Sequence, residues 1–284
     1  MSRAAPPTDS VARVNARQTV RSWLNPPAPA GPALDASERR GVWIEITIVL
    51  LVTFGLSGLS GILSLLESLA TPVALSDQTV ALNPSRAAID WIDLARQLLS
   101  VARLFAWAAL GLYLLWRAGI GPSAAGLPPK PKLRRDIAPG LGLAALIGLP
   151  GLLFYLAAQA LNINLTVQAS ALDDHWWRVP ILILSAIANS SAEEVLVVAY
   201  LISRLRMLGW SENSSLLASS LLRGSYHLYQ GFGGGVGNVV MGLIFGRYWQ
   251  RTGRLWPLII AHALIDMVAF IGYALLRDHV GWLP

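Results

Sequence analysis

The chain of 284 residues is 54% hydrophobic and only 13% charged, with a formal net charge of +6. Soluble domains contain about 25% charged residues, so this composition excludes an ordinary soluble domain and indicates an integral membrane protein. The basic residues are scattered between apolar runs, which argues against a nucleic-acid partner, and the lack of cysteine excludes disulfides and thiolate chemistry.

The N-terminal part of the chain predicts a polar tail followed by two membrane spans. Residues 1–40 are rich in Pro, Ala and Arg and are expected to form a disordered tail, with an interfacial anchor around Val20–Leu24 as the alternative. The first span is predicted at Val42–Leu66 and the second at Leu94–Leu115, before a basic loop rich in Gly and Pro. Small residues on the first span predict close contact with another helix; they are Gly55, Ser57, Gly58, Ser60 and Gly61.

The C-terminal part predicts five further helical segments. They are a third span at Ile137–Leu161 with a kink at Pro150, a fourth span at Val179–Ile202, a fifth helix from Ser211 to about Tyr229, a sixth span from Gly231 to about Arg254 and a seventh span at Leu255–Leu276. Before the fourth span, Asp173, Asp174 and His175 could suggest a metal site, but they are more typical of a surface loop. The predicted fold is an all-α polytopic transmembrane helical bundle of about seven spans.

Changes in composition divide the chain into four regions. They are a disordered cytoplasmic tail (1–40), N-terminal transmembrane helices with a cytoplasmic loop (41–136), a third span with an outer loop (137–178) and a C-terminal helical core (179–278). Arginine and lysine gather in the segments that would be cytoplasmic if the N-terminus is inside the cell. The positive-inside rule therefore predicts a multi-pass cell-membrane protein with a cytoplasmic N-terminus.

Two adjacent carboxylates, Glu193 and Glu194, lie near the middle of the fourth span. A charge at that depth costs about 2.5–3.5 kcal/mol on insertion scales, so such residues indicate a functional site. Adjacent helical positions point about 100° apart, so one carboxylate can face a cavity while the other faces a neighbouring helix.

Two further pairs of polar residues lie in later segments: Arg223 with His227, and His262 with Asp266. Each pair has i,i+4 spacing and is predicted to share a helix face. A rise of 1.5 Å per residue places Glu193, His227 and Asp266 about 16–21 Å from the cytoplasmic helix ends, so these groups could meet near the midplane. A carboxylate and an imidazole can bind and deprotonate a water, and a second imidazole can donate to an oxyanion. A proton-coupled transporter uses the same residue types and is the alternative, although no inverted repeat is evident.

The ordered motifs resemble the CPBP family of intramembrane proteases, which includes the CAAX prenyl endopeptidases and bacteriocin-processing or Abi-type bacterial proteins. The family pattern is Glu-Glu-x-x-x-Arg, then Phe-x-x-x-His, then His-x-x-x-Asn. The corresponding stretches are 193–198, 223–227 and 262–266, within a resemblance that covers about residues 179–276. The resemblance implies that Glu193 and His227 activate water, with Glu194 completing the carboxylate pair, while His262 and Asp266 bind the oxyanion.

The chain departs from the family pattern at three positions: Val198 replaces Arg, Arg223 replaces Phe, and Asp266 replaces Asn. An ionised Asp266 would repel an oxyanion, so it must be protonated or instead orient His262. Because the paired glutamates need a compensating charge, we predict that Arg223 pairs with Glu194. The alternative is that Arg223 binds backbone carbonyls or Asp266.

We therefore expect an intramembrane endopeptidase that hydrolyses a peptide bond of a membrane-associated peptide or protein. A catalytically inactive membrane scaffold is a further alternative. Family members have been described both as metalloproteases and as metal-free glutamate proteases. We expect no metal, but zinc would be bound by Glu193, His227 and His262. The expected partners are the lipid bilayer and a peptide substrate, and nothing in these residues selects a prenylated one.

Overall fold

The computed structural model describes residues 34–276. The first 33 residues of the predicted tail, including the alternative anchor at Val20–Leu24, lie outside this range, as do residues 277–284. Helix α1 (Ala36–Val52) begins before the predicted end of the tail. Its start is fixed by a capping box, in which the Asp35 side chain accepts from Glu38 N and the Glu38 side chain accepts from Asp35 N. The tail therefore ends earlier than residue 40.

The first predicted span is broken into two helices. Helix α2 (Phe54–Ala70) follows α1 at an angle of 52°. At the break, the Thr53 hydroxyl donates to Val49 O at 2.6 Å, and a side chain at Gly55 would come within 2.6 Å of Leu50 O. The bend therefore needs glycine at position 55, because any Cβ there would collide with the preceding helix.

The second, third, fourth and seventh predicted spans correspond to helices close to their predicted bounds. They are α3 (Asp90–Arg117), α4 (Ala138–Ala160), α5 (Arg178–Glu193), α6 (Leu201–Met207) and α9 (Trp256–Leu276). A π-helical turn (Leu133–Ile137) precedes α4, and a π-helical segment (Glu194–Tyr200) joins α5 to α6, so that residues 178–207 form one long helix. Pro150 lies inside an unbroken α4.

Two predicted membrane segments differ from expectation. Helix α7 (Glu212–Ser225) has only 14 residues, and α8 (Phe232–Thr252) has 21 residues but is too polar to count as a span. Residues 34–276 contain four helices that are long and apolar enough to cross a membrane, or five if α1 and α2 form one bent span. The helical bundle is confirmed, but seven spans are not.

A short parallel sheet, which the sequence did not predict, joins two loops at one end of the bundle. Strand β1 (Thr79–Ala81) pairs with β2 (Thr166–Gln168), with Thr79 opposite Thr166 and Ala81 opposite Gln168. A three-residue 3₁₀ turn (Leu75–Asp77) leads into β1. The sheet therefore links the α2–α3 connection to the α4–α5 connection.

The long helix 178–207 forms the centre of the core. Every side chain from Glu193 to Ile202 is at most 4% exposed. Close backbone contacts around it depend on glycine, as predicted: side chains at Gly58 and Gly61 would collide with Ser225, and one at Gly246 would collide with Leu216. Helices α2, α7 and α8 are thereby packed against one another, which holds the end of α7 beside the two glutamates.

Candidate active site

The two glutamates lie where the α-helix changes to a π-helix. Glu193 is the last residue of α5, and Glu194 begins the π-helical segment. The Ser219 hydroxyl from α7 donates to Val197 O at 2.6 Å, which provides a partner for a carbonyl of the irregular turn. π-Helical turns inside long helices are frequent at functional sites because they rotate side chains relative to a regular helix.

Glu194 binds both a guanidinium and an imidazole. Arg223 Nη2 donates to Glu194 Oε1 at 2.6 Å, and His262 Nδ1 lies 2.8 Å from the same oxygen. The Glu194 and Arg223 side chains are both fully buried. The predicted contact between Arg223 and Glu194 is therefore confirmed, and the positive charge absent at Val198 is present on a neighbouring helix.

Glu193 has a different set of partners. The Tyr226 hydroxyl donates to Glu193 Oε2 at 2.7 Å, and Asn189 Nδ2 donates to Glu193 Oε1 at 3.1 Å. Arg223 Nη1 lies 3.6 Å from Oε2. Sequence analysis missed Tyr226 and Asn189, although Asn189 lies at i−4 from Glu193 and Tyr226 directly precedes a motif histidine.

His262 and Asp266 share one face of α9, as their spacing predicts. His262 Nε2 lies 3.7 Å from Asp266 Oδ2, and Asn189 Nδ2 also donates to this oxygen, at 3.2 Å. His262 thus lies between Glu194 and Asp266, while Asn189 links Asp266 to Glu193. This arrangement fits Asp266 as a residue that orients His262.

His227 lies outside a helix, contrary to the prediction that α7 continues to about Tyr229. The helix ends at Ser225, and His227 precedes a 3₁₀ turn (Leu228–Gln230) that leads to Gly231 with a φ of +106°. His227 Nδ1 still approaches a residue four positions earlier, donating to Arg223 O at 3.0 Å. A carbonyl can only accept, so Nδ1 carries a proton, and Nε2 is the nitrogen that has no proton whenever the ring is neutral.

His227 interacts electrostatically with Glu193, but no hydrogen bond joins the two within the described part of the chain. Three atoms of the cluster are buried without a hydrogen-bond partner among residues 34–276: Glu194 Oε2, Arg223 Nε and Arg223 Nη1. Buried polar groups are nearly always paired in proteins, so several unpaired ones in one place are unusual. The cluster is under-satisfied where the glutamates meet the arginine.

The structure also bears on the metal alternatives. Among residues 34–276, no three His, Cys, Asp or Glu side chains are arranged to hold a metal ion. His262 Nδ1 is occupied by Glu194, which removes one nitrogen from the predicted zinc ligands. In the loop before α5, Asp174 pairs with Arg178 at 3.2 Å and His175 stacks on Trp177. These contacts fit the interpretation of that segment as a surface loop.

Two cavities are lined by residues that bind Glu193. The larger, of about 690 Å³, is lined by α2 and by Tyr226 and Tyr229. The smaller, of about 330 Å³, is lined by α3, Asn189 and Tyr229. Tyr226 and Asn189 are both bonded to Glu193, so one residue separates this carboxylate from each cavity.

Comparison with known proteins gives one match. Residues 175–268 match the family model described as "Rce1-like: Type II CAAX prenyl endopeptidase Rce1-like", and this segment contains all six predicted site residues. No curated protein and no solved structure matches the chain. The match covers about a third of the chain and agrees with the resemblance found in the motifs. Together with the apolar helices, the match indicates a multi-pass membrane protein whose segment 175–268 is similar to the type II CAAX prenyl endopeptidases.

Proposed function

We propose that this protein is an intramembrane endopeptidase in which Glu193 activates the attacking water. The observation that carries the proposal is the position of Glu193. It is 2% exposed, lies in an otherwise apolar helix, and is bonded to residues that line two cavities. A buried carboxylate beside a cavity and an imidazole is suited to general base catalysis.

In the proposed reaction, a water molecule lies between Glu193 and the free Nε2 of His227. Glu193 takes one proton from the water as its oxygen attacks the carbonyl carbon of the substrate peptide bond. The resulting oxyanion accepts a hydrogen bond from a doubly protonated His262, whose Nδ1–H stays bonded to Glu194. The C–N bond then breaks as the proton passes from Glu193 to the leaving nitrogen, which yields a carboxylic acid and an amine.

Glu194 has a positioning role in this scheme. One of its oxygens holds both Arg223 and His262, so it is not free to act as the base. Arg223 in turn lies between the two carboxylates and offsets their charge. Asp266 and Asn189 complete the arrangement by orienting His262 and Glu193.

The reaction is proposed without a metal because water activation by Glu193 and His227 needs no ion. A test uses the purified protein and chelators. We expect activity to persist after treatment with 1,10-phenanthroline and EDTA. Loss of activity on chelation, restored by zinc, would contradict the metal-free reaction.

The substrate proposed is a membrane-associated peptide or the tail of a membrane protein. The most informative experiment is comparative peptidomics of membranes from cells that express the wild-type protein or Glu193→Gln. We expect peptides that accumulate only with the wild-type protein. Identical peptide profiles would favour the inactive scaffold, to which the departures at Val198 and Arg223 also point.

We further propose that the N-terminus faces the cytoplasm. Contacts join three of the basic segments: Arg206 pairs with Glu212 at 3.2 Å, Gln250 at the end of α8 donates to Glu212 O at 2.9 Å, and Arg254 pairs with Asp136 at 2.6 Å. The positive-inside rule places these segments in the cytoplasm. Because the chain has no cysteine, a single cysteine at Lys130 can be labelled alone. Labelling from the outer face of intact cells would overturn the orientation.

A further inference from the structure

The small sheet shows which backbone groups point outward. Thr166 N donates to Gln78 O at 2.9 Å, and Leu82 N donates to Gln168 O at 2.8 Å. Backbone groups of a strand point alternately to its two sides, so even-numbered residues of both strands face each other. The odd-numbered residues therefore direct their N–H and C=O groups away from the sheet.

The two outer edges of the sheet differ. On β2, the outward N–H of Val167 donates to the Tyr155 hydroxyl at 3.0 Å. On β1, the outward groups belong to Thr79 and Ala81, and within residues 34–276 these have no partner. A strand edge with free donors and acceptors can pair with another extended chain. The sheet therefore has one covered edge and one edge available for pairing.

The free edge is held in place from both sides. Gln78 Nε2 donates to Ser68 O and to Val73 O, each at 2.9 Å, which ties the start of β1 to the end of α2. The Thr166 hydroxyl donates to Ser76 O at 2.7 Å, which ties the same region to β2. An edge that is already ordered loses little conformational entropy when a partner strand binds.

The two cavities follow each other along β1. Residues 78–80 line the larger cavity, and residues 81–83 line the smaller one. Tyr229 lines both and therefore lies at their junction. Since consecutive residues of one strand line consecutive cavities, an extended chain beside β1 would pass from one cavity to the other.

The proposed catalytic base is bonded to one lining residue of each cavity. Tyr226 lines the larger cavity and donates to one Glu193 oxygen, while Asn189 lines the smaller cavity and donates to the other. Glu193 is thus linked to one wall of each cavity. A peptide that spans both cavities would bring a bond near its middle to this carboxylate.

We propose that the substrate docks as an extended strand on the free edge of β1, with one flank in each cavity and the scissile bond beside Glu193. This inference rests on the proposed peptidase function and specifies how the site recognises its substrate. At about 3.3 Å per residue, the six residues 78–83 match a peptide of about six residues. Recognition through main-chain groups makes extended conformation, more than a particular side chain, the requirement for cleavage.

The first test changes the peptide backbone. A quenched fluorogenic decapeptide is selected from a random library for cleavage by the purified full-length protein and not by Glu193→Gln. Its amides are then N-methylated one at a time. We expect methylation at every second residue to lower kcat/KM by about tenfold or more, because those residues face β1, and methylation at the residues between to change it less than about twofold.

The second test changes the strand. Thr79→Pro removes one outward N–H, and proline is tolerated on an edge strand at such a position. We expect kcat/KM for the selected peptide to fall about five- to tenfold, and to fall clearly less in the matched variant Thr79→Ala, which changes the same side chain but keeps the N–H. Ala81→Pro should act as Thr79→Pro does. An unchanged thermal midpoint shows that a variant is folded, and if neither proline variant folds, the N-methylated peptides decide.

The outcomes separate the two proposals. An N-methylation profile without alternation, together with cleavage that still depends on Glu193, would overturn docking on β1 and leave the peptidase function intact. Absence of Glu193-dependent cleavage across the whole library would overturn the proposed function, and docking on β1 with it. Alternation that is lost in Thr79→Pro at the amides nearest Thr79 would support the inference most directly.

Discussion

Two arginine clusters lie at opposite ends of the π-helical segment 194–200, and they are built differently. At the far end, Arg204 binds both oxygens of Glu45 at 2.8 Å each, and the Tyr200 hydroxyl donates to the same carboxylate at 2.9 Å. At the near end, Arg223 makes one short contact, to Glu194. Its Nε and Nη1 atoms have no hydrogen-bond partner among the described residues.

The difference separates a structural tie from a candidate active site. A bidentate pair in which the carboxylate is fully bonded fixes α1 against α6 and leaves no group free for chemistry. A buried cluster with unpaired atoms costs stability, and such clusters persist where reacting groups are needed. We therefore expect substitutions near Arg223 to affect activity first, and substitutions near Arg204 to affect stability alone.

The largest effect is expected from Glu193→Gln. Removal of a general base lowers kcat by about 10²–10⁴-fold, while glutamine keeps the size of the side chain and can still bond to Tyr226. Activity is measured as hydrolysis of a substrate peptide, and stability as the thermal midpoint in detergent. Glu45→Gln, which makes the same chemical change in the other cluster, is the matched control and should retain activity. Comparable losses of activity in both variants would break the distinction between the clusters.

The next effect is expected from Arg223→Phe, which restores the family residue at that position. Removing one partner of a buried ion pair costs about 3–5 kcal/mol, because Glu193 and Glu194 are left uncompensated. Adding Val198→Arg returns a cation to the glutamate helix and should recover part of the lost stability and activity. Val198→Arg alone is the control and should be destabilising, since Val198 is fully buried and Arg223 already offsets the charge of the glutamates. A double variant no better than Arg223→Phe would contradict charge compensation.

The site shows what sequence reasoning can and cannot predict. The contact between Arg223 and Glu194 could be predicted because a buried carboxylate pair needs a cation and the family position, Val198, lacks one. The roles of Tyr226 and Asn189 were missed because neither carries a charge, so neither is conspicuous in an apolar segment. Neutral hydrogen-bond donors become visible as site residues only when the folded contacts are known.

The fold shows the same limits. Long apolar runs predicted most of the spanning helices well, because the length of an apolar run is enough to identify such a helix. The bend at Thr53 was missed because the apolar run continues through it, and the end of α7 was missed because it depends on close packing of Gly224 against Gly235. The β1–β2 sheet was missed because its strands have three residues each and pair between distant loops.

A smaller effect is expected from Tyr226→Phe. The hydroxyl donates to Glu193, and a hydrogen bond to a charged group contributes about 1.5–3 kcal/mol. The ring still packs against Phe54, with centroids 4.8 Å apart, so the fold should be retained. We expect kcat/KM to fall by about 10- to 100-fold and the pH profile of kcat to shift, since the environment of the base changes. Tyr200→Phe removes a comparable hydroxyl from Glu45 and is the control; a shifted pH profile in that variant would weaken the comparison.

The smallest effect is expected from Glu45→Gln, and it falls on stability. Glu45 is 25% exposed at its side chain, so the loss of its pair with Arg204 is partly compensated by water. We expect the free energy of unfolding to fall by about 1–2 kcal/mol, between the values for exposed and buried pairs.

Arg40→Gln is the control: it removes an exposed charge from the same helix and should leave the thermal midpoint unchanged. Because α1 and α6 would separate, the Glu45→Gln variant should also be cleaved more readily after Arg39 and Arg40 at the start of α1, measured by limited trypsin digestion in detergent. If Glu45→Gln keeps its activity but is cleaved more readily by the protease, the ion pair at Arg204 stabilises the fold and does not affect Glu193. A large loss of activity at unchanged stability would instead show that the π-helical segment couples its two ends, and the clusters would have to be treated as one unit.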